Sequence, residues 1–223
     1  PSNNNTVLSF QQNVFSKSNV KFLFVNREKI GQDSFESEQE RYNRLLGFDY
    51  NFISKDDKIT GKVFFYNTFS PSEENEGVST GFRFNYNDRK NRFRTVFTRT
   101  TPNFKSDLGF SRRTGFKKNY TKYDRVFFPK SKFIQSVAVG PELYYIDKPK
   151  ENNLITDRRL NVNLSVNFKN RSRIDLALVN NYIYLENAFD PTGLNYDSPI
   201  TEGAYDTSQF EFGYTSTNRR KFR

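Results

Sequence analysis

Apolar and polar residues alternate along most of this chain, and the clearest stretch runs from Arg159 to Tyr184. Leu160, Val162, Leu164, Val166 and Phe168 alternate with Arg159, Asn161, Asn163, Ser165 and Asn167. After the short polar segment Lys169-Asn170-Arg171-Ser172, Ile174, Leu176, Leu178, Asn180, Tyr182 and Tyr184 alternate with Arg173, Asp175, Ala177, Val179, Asn181 and Ile183. A period of two sends successive side chains to opposite faces of a sheet, so each strand is apolar on one side and wet on the other. The segment therefore predicts an antiparallel hairpin with strands of about ten residues, long enough to cross a bilayer when tilted.

The same pattern recurs along the chain. It predicts strands over residues 6–15, 20–27, 46–52, 59–69, 78–86, 92–100, 120–128, 133–146, 159–168, 173–184 and 209–214, with a twelfth beginning at the C-terminal end. Tight turns fall near residues 17, 56, 89, 130, 170 and 219, each with a Lys or Arg. Longer connections lie between them. One is acidic (Glu28, Asp33, Glu36, Glu38, Glu40), one holds Pro71 with Glu73, Glu74 and Glu76, and the longest spans 186–206. Short turns at one end and long loops at the other describe an outer-membrane-type barrel with its short end periplasmic. Pro141 interrupts a predicted strand, where its missing N–H leads us to expect a bulge or break. A soluble β-sandwich is the competing reading, and strands of ten residues exceed its usual five or six.

Aromatic residues gather at both ends of these strands. Phe15, Phe52, Tyr86, Phe127, Phe128 and Phe168 lie near the short turns, and Tyr66, Phe69, Tyr144, Tyr145, Tyr182 and Tyr184 near the long loops. Two such bands match the girdles that sit at the headgroup level. Phe15, Phe52, Tyr86, Phe128, Phe168, Tyr144, Tyr182 and Tyr184 are the girdle candidates. The opposite parity predicts a lumen lined by Asp49, Arg83, Arg159, Arg173, Asp175 and Glu211, able to filter polar solutes or to stiffen the wall by cross-strand pairing.

Composition narrows the chemistry. The 223 residues include no Cys, His, Trp or Met. Without His there is no side chain that ordinarily titrates near neutral pH, no Ser-His or Cys-His pair, and no imidazole metal ligand. The carboxylate pairs Asp56/Asp57 and Glu73/Glu74 fall in exposed turns. The segment 190–202 has acidic residues with Gly193 and Asn195, so calcium is conceivable there, although the spacing is not that of an EF-hand. We expect no enzyme, no cofactor and no metal. Mean hydropathy is −0.83, and no apolar run approaches a membrane-spanning helix, which leaves a barrel open because half of every strand faces a polar interior. The net charge of +10 raises a nucleic-acid-binding β protein as an alternative, but the basic residues are scattered over many turns instead of one stacking face.

Three stretches resemble a known family: Ser18-Asn19-Val20 with Asn26-Arg27, Asn43-Arg44-Leu45-Leu46-Gly47-Phe48-Asp49-Tyr50, and Phe104 to Arg113. Over about residues 5–128 the chain is similar to the barrel of uncharacterised Gram-negative outer-membrane proteins. In these an N-terminal domain like carbohydrate-binding module family nine precedes the barrel. The family's Gly-Phe-x-Pro-Arg stands here as Gly109-Phe110-Ser111-Arg112-Arg113, without the proline. The resemblance implies an outer-membrane location and glycans among the candidate ligands.

The fold expected is thus all-β, an antiparallel transmembrane β-barrel, with 1–223 forming part of one barrel domain. Strand direction leads us to expect about 11 to 12 of at least about fourteen strands, with others before Pro1. Expected partners are outer-membrane lipids, lipopolysaccharide and other envelope proteins, with no nucleic acid. Two roles stay open, a channel or receptor for polar solutes and a non-transporting scaffold in a secretion or biogenesis complex.

Overall fold

The computed structural model describes residues 2–31, 41–71, 77–109, 113–191 and 199–216. Among these the chain is all β, in eleven strands: β1 Ser2–Val14, β2 Ser18–Ile30, β3 Tyr42–Ile53, β4 Ile59–Phe69, β5 Gly77–Asn87, β6 Asn91–Thr100, β7 Phe116–Phe127, β8 Ile134–Lys148, β9 Leu154–Phe168, β10 Arg173–Leu185 and β11 Gly203–Thr215. They form one sheet in sequence order, with β1 and β11 at its edges. The sheet is not closed, so the barrel expected from the sequence is present only as an antiparallel meander. The twelfth strand, the turn near residue 219, the acidic positions Asp33, Glu36, Glu38, Glu40, Glu73, Glu74 and Glu76, and the 192–198 part of the calcium candidate lie outside the described residues, as do Phe110, Ser111 and Arg112.

The strands outrun the periodic segments that announce them. Glu28, assigned from sequence to a loop, is inside β2, β9 starts at Leu154, and β11 starts at Gly203, so Tyr205 and Asp206 belong to a strand. The backbone ladder continues past the point where side-chain alternation ends, because ladder bonds need no particular side chain. Pro141 does not break β8, which runs unbroken through it. Gly140 just before it absorbs the crowding: a Cβ there would lie 1.7 Å from the Tyr123 carbonyl oxygen.

Four of the tight turns are closed by a short polar side chain that captures backbone N–H groups, as Asp, Asn and Ser do in turns. Asp56 accepts from the Lys58 amide, Asp88 from Lys90 and Asn91, Ser131 from Phe133 and Ile134, and Asn170 from Ser172.

The chain divides into two compact units. In the unit of Pro1–Asn85, Val96–Lys118 and Lys148–Asn152, register aligns Phe10, Phe22, Phe48 and Phe65 in one row across β1 to β4. All four are exposed, at 62%, 48%, 46% and 48%. The opposite parity carries the buried Asn43, Leu45, Asp49 and Thr68. In the unit of Tyr86–Thr95, Asn119–Asp147 and Asn153–Arg223, Val162, Leu178 and Phe210 stand in one exposed row, and Asn161 and Val179 are buried on the reverse. Among the described residues, the buried side chains are chiefly Ser, Thr, Asn and Asp, while Phe, Leu and Val crowd the surface. That inverts the arrangement expected of a protein folded in water.

Candidate functional site

The polar face is built differently in each unit. In the first unit Asp49 on β3 accepts a hydrogen bond from the Tyr66 hydroxyl at 2.6 Å and pairs with Lys62 at 3.0 Å, both from β4. Tyr66 crosses over Gly47, where a Cβ would come within 2.5 Å of the ring, so the glycine makes room for the phenol to reach the carboxylate. Asp49 is 7% exposed; the Lys62 ammonium offsets its charge and the Tyr66 hydroxyl satisfies a lone pair, as a buried carboxylate requires. Near the long loops, residues 101–109 fold back over the same face. Asn43 Nδ2 donates to the Lys105 carbonyl at 3.0 Å, the Asp107 amide donates to Asn43 Oδ1 at 3.0 Å, and Arg27 pairs with Asp107 at 2.7 Å. Asn103 and Phe104 back onto Gly77, which leaves no space for a Cβ. The three stretches that carry the family resemblance thus meet at one place, through Arg27, Asn43 and Asp107.

In the second unit the polar residues of β9, β10 and β11 form two hydrogen-bonded clusters. Arg173 pairs with Asp175 at 2.6 Å, and Ser165 donates to the same carboxylate at 2.5 Å. Arg159 bridges to Glu211 at 3.1 Å and donates to Asn161, and Gln209 also donates to Glu211. Lys122 on β7 pairs with Glu142 on β8 at 3.1 Å. The small residues Ala138, Ala177 and Gly213 leave a trough of about 640 Å³ among these longer side chains.

Of the six lumen candidates, Arg173 pairs with Asp175 and Arg159 with Glu211 in this unit, and Asp49 has its own cluster in the other unit. Arg83 lies on the strand parity of Ser79 and Gly81 but is exposed. Sequence reasoning missed Lys62 and Tyr66, the partners of Asp49. Tyr66 was placed among the aromatics near the long loops, whereas it faces the buried side. The signal was available, since Tyr66 shares parity with Thr68, Phe64 and Lys62.

Of the girdle candidates that lie in strands, all but one fall on the exposed, apolar parity. Phe52 and Tyr86 share the exposed parity near the short turns; Phe52 stacks with Tyr50 at 6.4 Å and covers Gly61, and Tyr86 donates to Asp88. Phe168, Tyr182 and Tyr184 share the parity of Leu178. Tyr182 lies under the Arg158 guanidinium at 5.3 Å. Phe15 and Phe128 are in turns; Phe15 is 88% exposed with a φ of 57°, and Phe128 lies under Arg89 at 4.7 Å. Tyr144 is the exception: it follows Ala138 and Glu142 onto the polar face, leaving Tyr145 on the apolar one.

Two turn carboxyls are held well below the ordinary carboxylate range. For Asp88 the main cause is the backbone N–H of Asn91, followed by the Asn91 and Tyr86 side chains; for Asp56 it is Lys58, then Ser54. These are structural acceptors at the turns, away from both polar clusters. Compared with known protein families, characterised proteins and solved structures, the chain shows no significant match.

Proposed function

We propose that this chain forms wall of an outer-membrane β-barrel that provides a polar path or receptor surface for hydrophilic solutes. The observation that carries the reading is the inverted burial. A row of four opposed Phe residues, and a second row of Val162, Leu178 and Phe210, face outward, while carboxylates, guanidiniums and amides line the reverse. In water such contiguous apolar rows would be costly at about 25 cal/mol per Å² exposed, and hydrocarbon removes that cost. Strands of 10 to 15 residues meet or exceed the roughly nine to eleven needed to cross a bilayer at a tilt. Among the described residues the polar face offers hydrogen bonding and charges of both signs, which suits passage or binding of a hydrophilic solute. On this reading the long loops face outward, and the lipid partners are those of the outer membrane.

A second role, as a non-transporting scaffold in an envelope complex, draws on one specific feature: residues 101–109 are pinned across the polar face by Arg27 and Asn43. Reconstitution distinguishes the two. The full-length protein should require detergent for extraction from outer membranes, and in planar bilayers it should give stepwise conductance that changes in ion selectivity when Arg159 and Arg173 are replaced by Ala. A silent bilayer with stable co-purifying envelope proteins would favour the scaffold. Recovery in the aqueous fraction without detergent would overturn the membrane reading.

A further inference from the structure

Three short turns of the second unit stand side by side, and their charge differs from that of the turns in the first. Residues 88–91, 128–133 and 169–172 join β5 to β6, β7 to β8 and β9 to β10. Backbone bonds tie them into one rim: the Val126 amide donates to the Lys90 carbonyl at 2.7 Å, and the Lys169 amide to the Phe133 carbonyl at 2.8 Å. The three turns carry Arg89, Lys90, Lys130, Lys132, Lys169 and Arg171 against one carboxylate, Asp88, which leaves an excess of five positive charges. All six cations are exposed, and among the described residues none of them pairs with a carboxylate. Asp88 is taken up by the Lys90 and Asn91 amides and the Tyr86 hydroxyl. In the first unit, by contrast, the turn cations Lys17 and Lys58 are matched by Asp57 at 2.7 Å and Asp56 at 2.8 Å. Solvation of a turn asks only for polar side chains. It does not account for unpaired like charges gathered on adjacent turns, where they repel one another.

Exposed aromatic rings lie among these cations. Phe127, Phe128 and Phe133 flank Lys130 and Lys132, and Phe133 is 75% exposed. The Arg89 guanidinium lies over the Phe128 ring at 4.7 Å. A polyanion in water would satisfy the charges and leave the rings wet. A lipid surface accommodates both, with rings at the headgroup boundary and ammonium and guanidinium groups on the phosphates. We infer that the short-turn rim of the second unit docks on the phosphate groups of anionic phospholipid in the adjoining leaflet. An excess of positive charge selects lipids with net negative charge, because a zwitterionic headgroup brings an ammonium of its own. The inference rests on the membrane reading only for bringing the rim to a leaflet; the charges and rings belong to the rim itself.

The test is native mass spectrometry of the full-length protein in detergent, with phosphatidylglycerol and phosphatidylethanolamine of matched acyl chains as competing probes. Phosphatidylglycerol should be retained in preference. A cation near an anionic surface contributes about fivefold in affinity, so Lys130→Gln, Lys132→Gln, Lys169→Gln and Arg171→Gln combined should weaken its retention at least about tenfold, with the unfolding midpoint kept. Lys17→Gln, Lys55→Gln and Lys58→Gln combined, in the turns of the first unit, should leave the preference unchanged. Equal retention of the two lipids by the parent would overturn the proposal. So would a preference that survives the four rim substitutions, or one that falls as far with the three in the first unit. A short DNA duplex is the third probe, and if it displaces phosphatidylglycerol the rim serves nucleic acid and the lipid proposal fails. Should the protein be recovered without detergent, the same lipids are offered as vesicles. Flotation with phosphatidylglycerol vesicles, lost in the rim variant, would then uphold the rim and sink the membrane wall. A conducting protein that needs detergent but shows no lipid preference would do the reverse.

Discussion

At the scale of single residues, Asp88 shows how little the chain needs to make a hairpin. One carboxylate accepts the amides of Lys90 at 2.6 Å and Asn91 at 2.5 Å and the Tyr86 hydroxyl at 2.9 Å. These donors favour its charged form, so its folded pKa lies below the unfolded value of about 3.9. The sign follows from linkage: a depressed carboxyl contributes stability that is complete above the unfolded pKa and is lost as pH falls through the folded one. Asp88→Ala should therefore unfold at lower denaturant than the parent at pH 7. The gap should persist down to about pH 4 and close in stronger acid. Equal midpoints for parent and variant at pH 7 would remove Asp88 as the organiser of this turn. The residue was visible in the sequence as part of a tight basic turn; its donors lie only two or three positions away, and what the sequence left open was the turn geometry that aims them at the carboxylate.

Among the elements, the 101–109 segment departs furthest from a plain connection. It is fixed by an ion pair whose side chains are 16% and 19% exposed and by two hydrogen bonds to Asn43, so it behaves as part of the polar face. Asp107→Ala leaves Arg27 without this carboxylate and should cost about 2 kcal/mol, in the range of a hydrogen-bonded charge. The Lys105 side chain is 62% exposed, so release of the segment should speed tryptic cleavage after Lys105. Mass spectrometry of a timed digest checks this; unchanged cleavage with unchanged stability would show that Arg27 does not hold the segment. From sequence the segment read only as a long connection. The pairing of residues 80 and 64 positions apart in sequence, Arg27 with Asp107 and Asn43 with Asp107, has no periodic signature.

For the whole molecule, the proposed membrane wall turns on whether the exposed apolar face meets hydrocarbon. Leu178 is 62% exposed in the middle of an apolar row, so Leu178→Arg should lower folding into lipid vesicles by about 2–4 kcal/mol, the cost of a cation at the bilayer midplane. Gln209→Arg, one residue from Phe210 but on the opposite face beside Glu211, should be tolerated. Folded yield in vesicles across a urea series reads both. If the two substitutions behave alike, the two faces are not distinguished by lipid, and the barrel reading fails with them. The same alternation explains why mean hydropathy alone is uninformative here, since the polar residues of each strand cancel the apolar ones.

The sequence by itself determined the all-β class, the antiparallel pairing of successive strands, the turns near residues 17, 56, 89, 130 and 170, and the face on which Arg159, Arg173, Asp175 and Glu211 stand. All of these follow from local rules: a period of two, short polar turns and side-chain parity. Tertiary structure alone decided that Lys62 and Tyr66 satisfy Asp49, that Tyr144 falls on the polar face, that β8 passes through Pro141 unbroken, and that three small residues open a trough beside Asn163. Each of these depends on which atoms of different strands come within a few ångströms. Register and close approach between strands set that distance, and no periodicity along one strand encodes it. Closure of the sheet belongs to the same class, because an edge strand's partner is chosen across space and not along the chain.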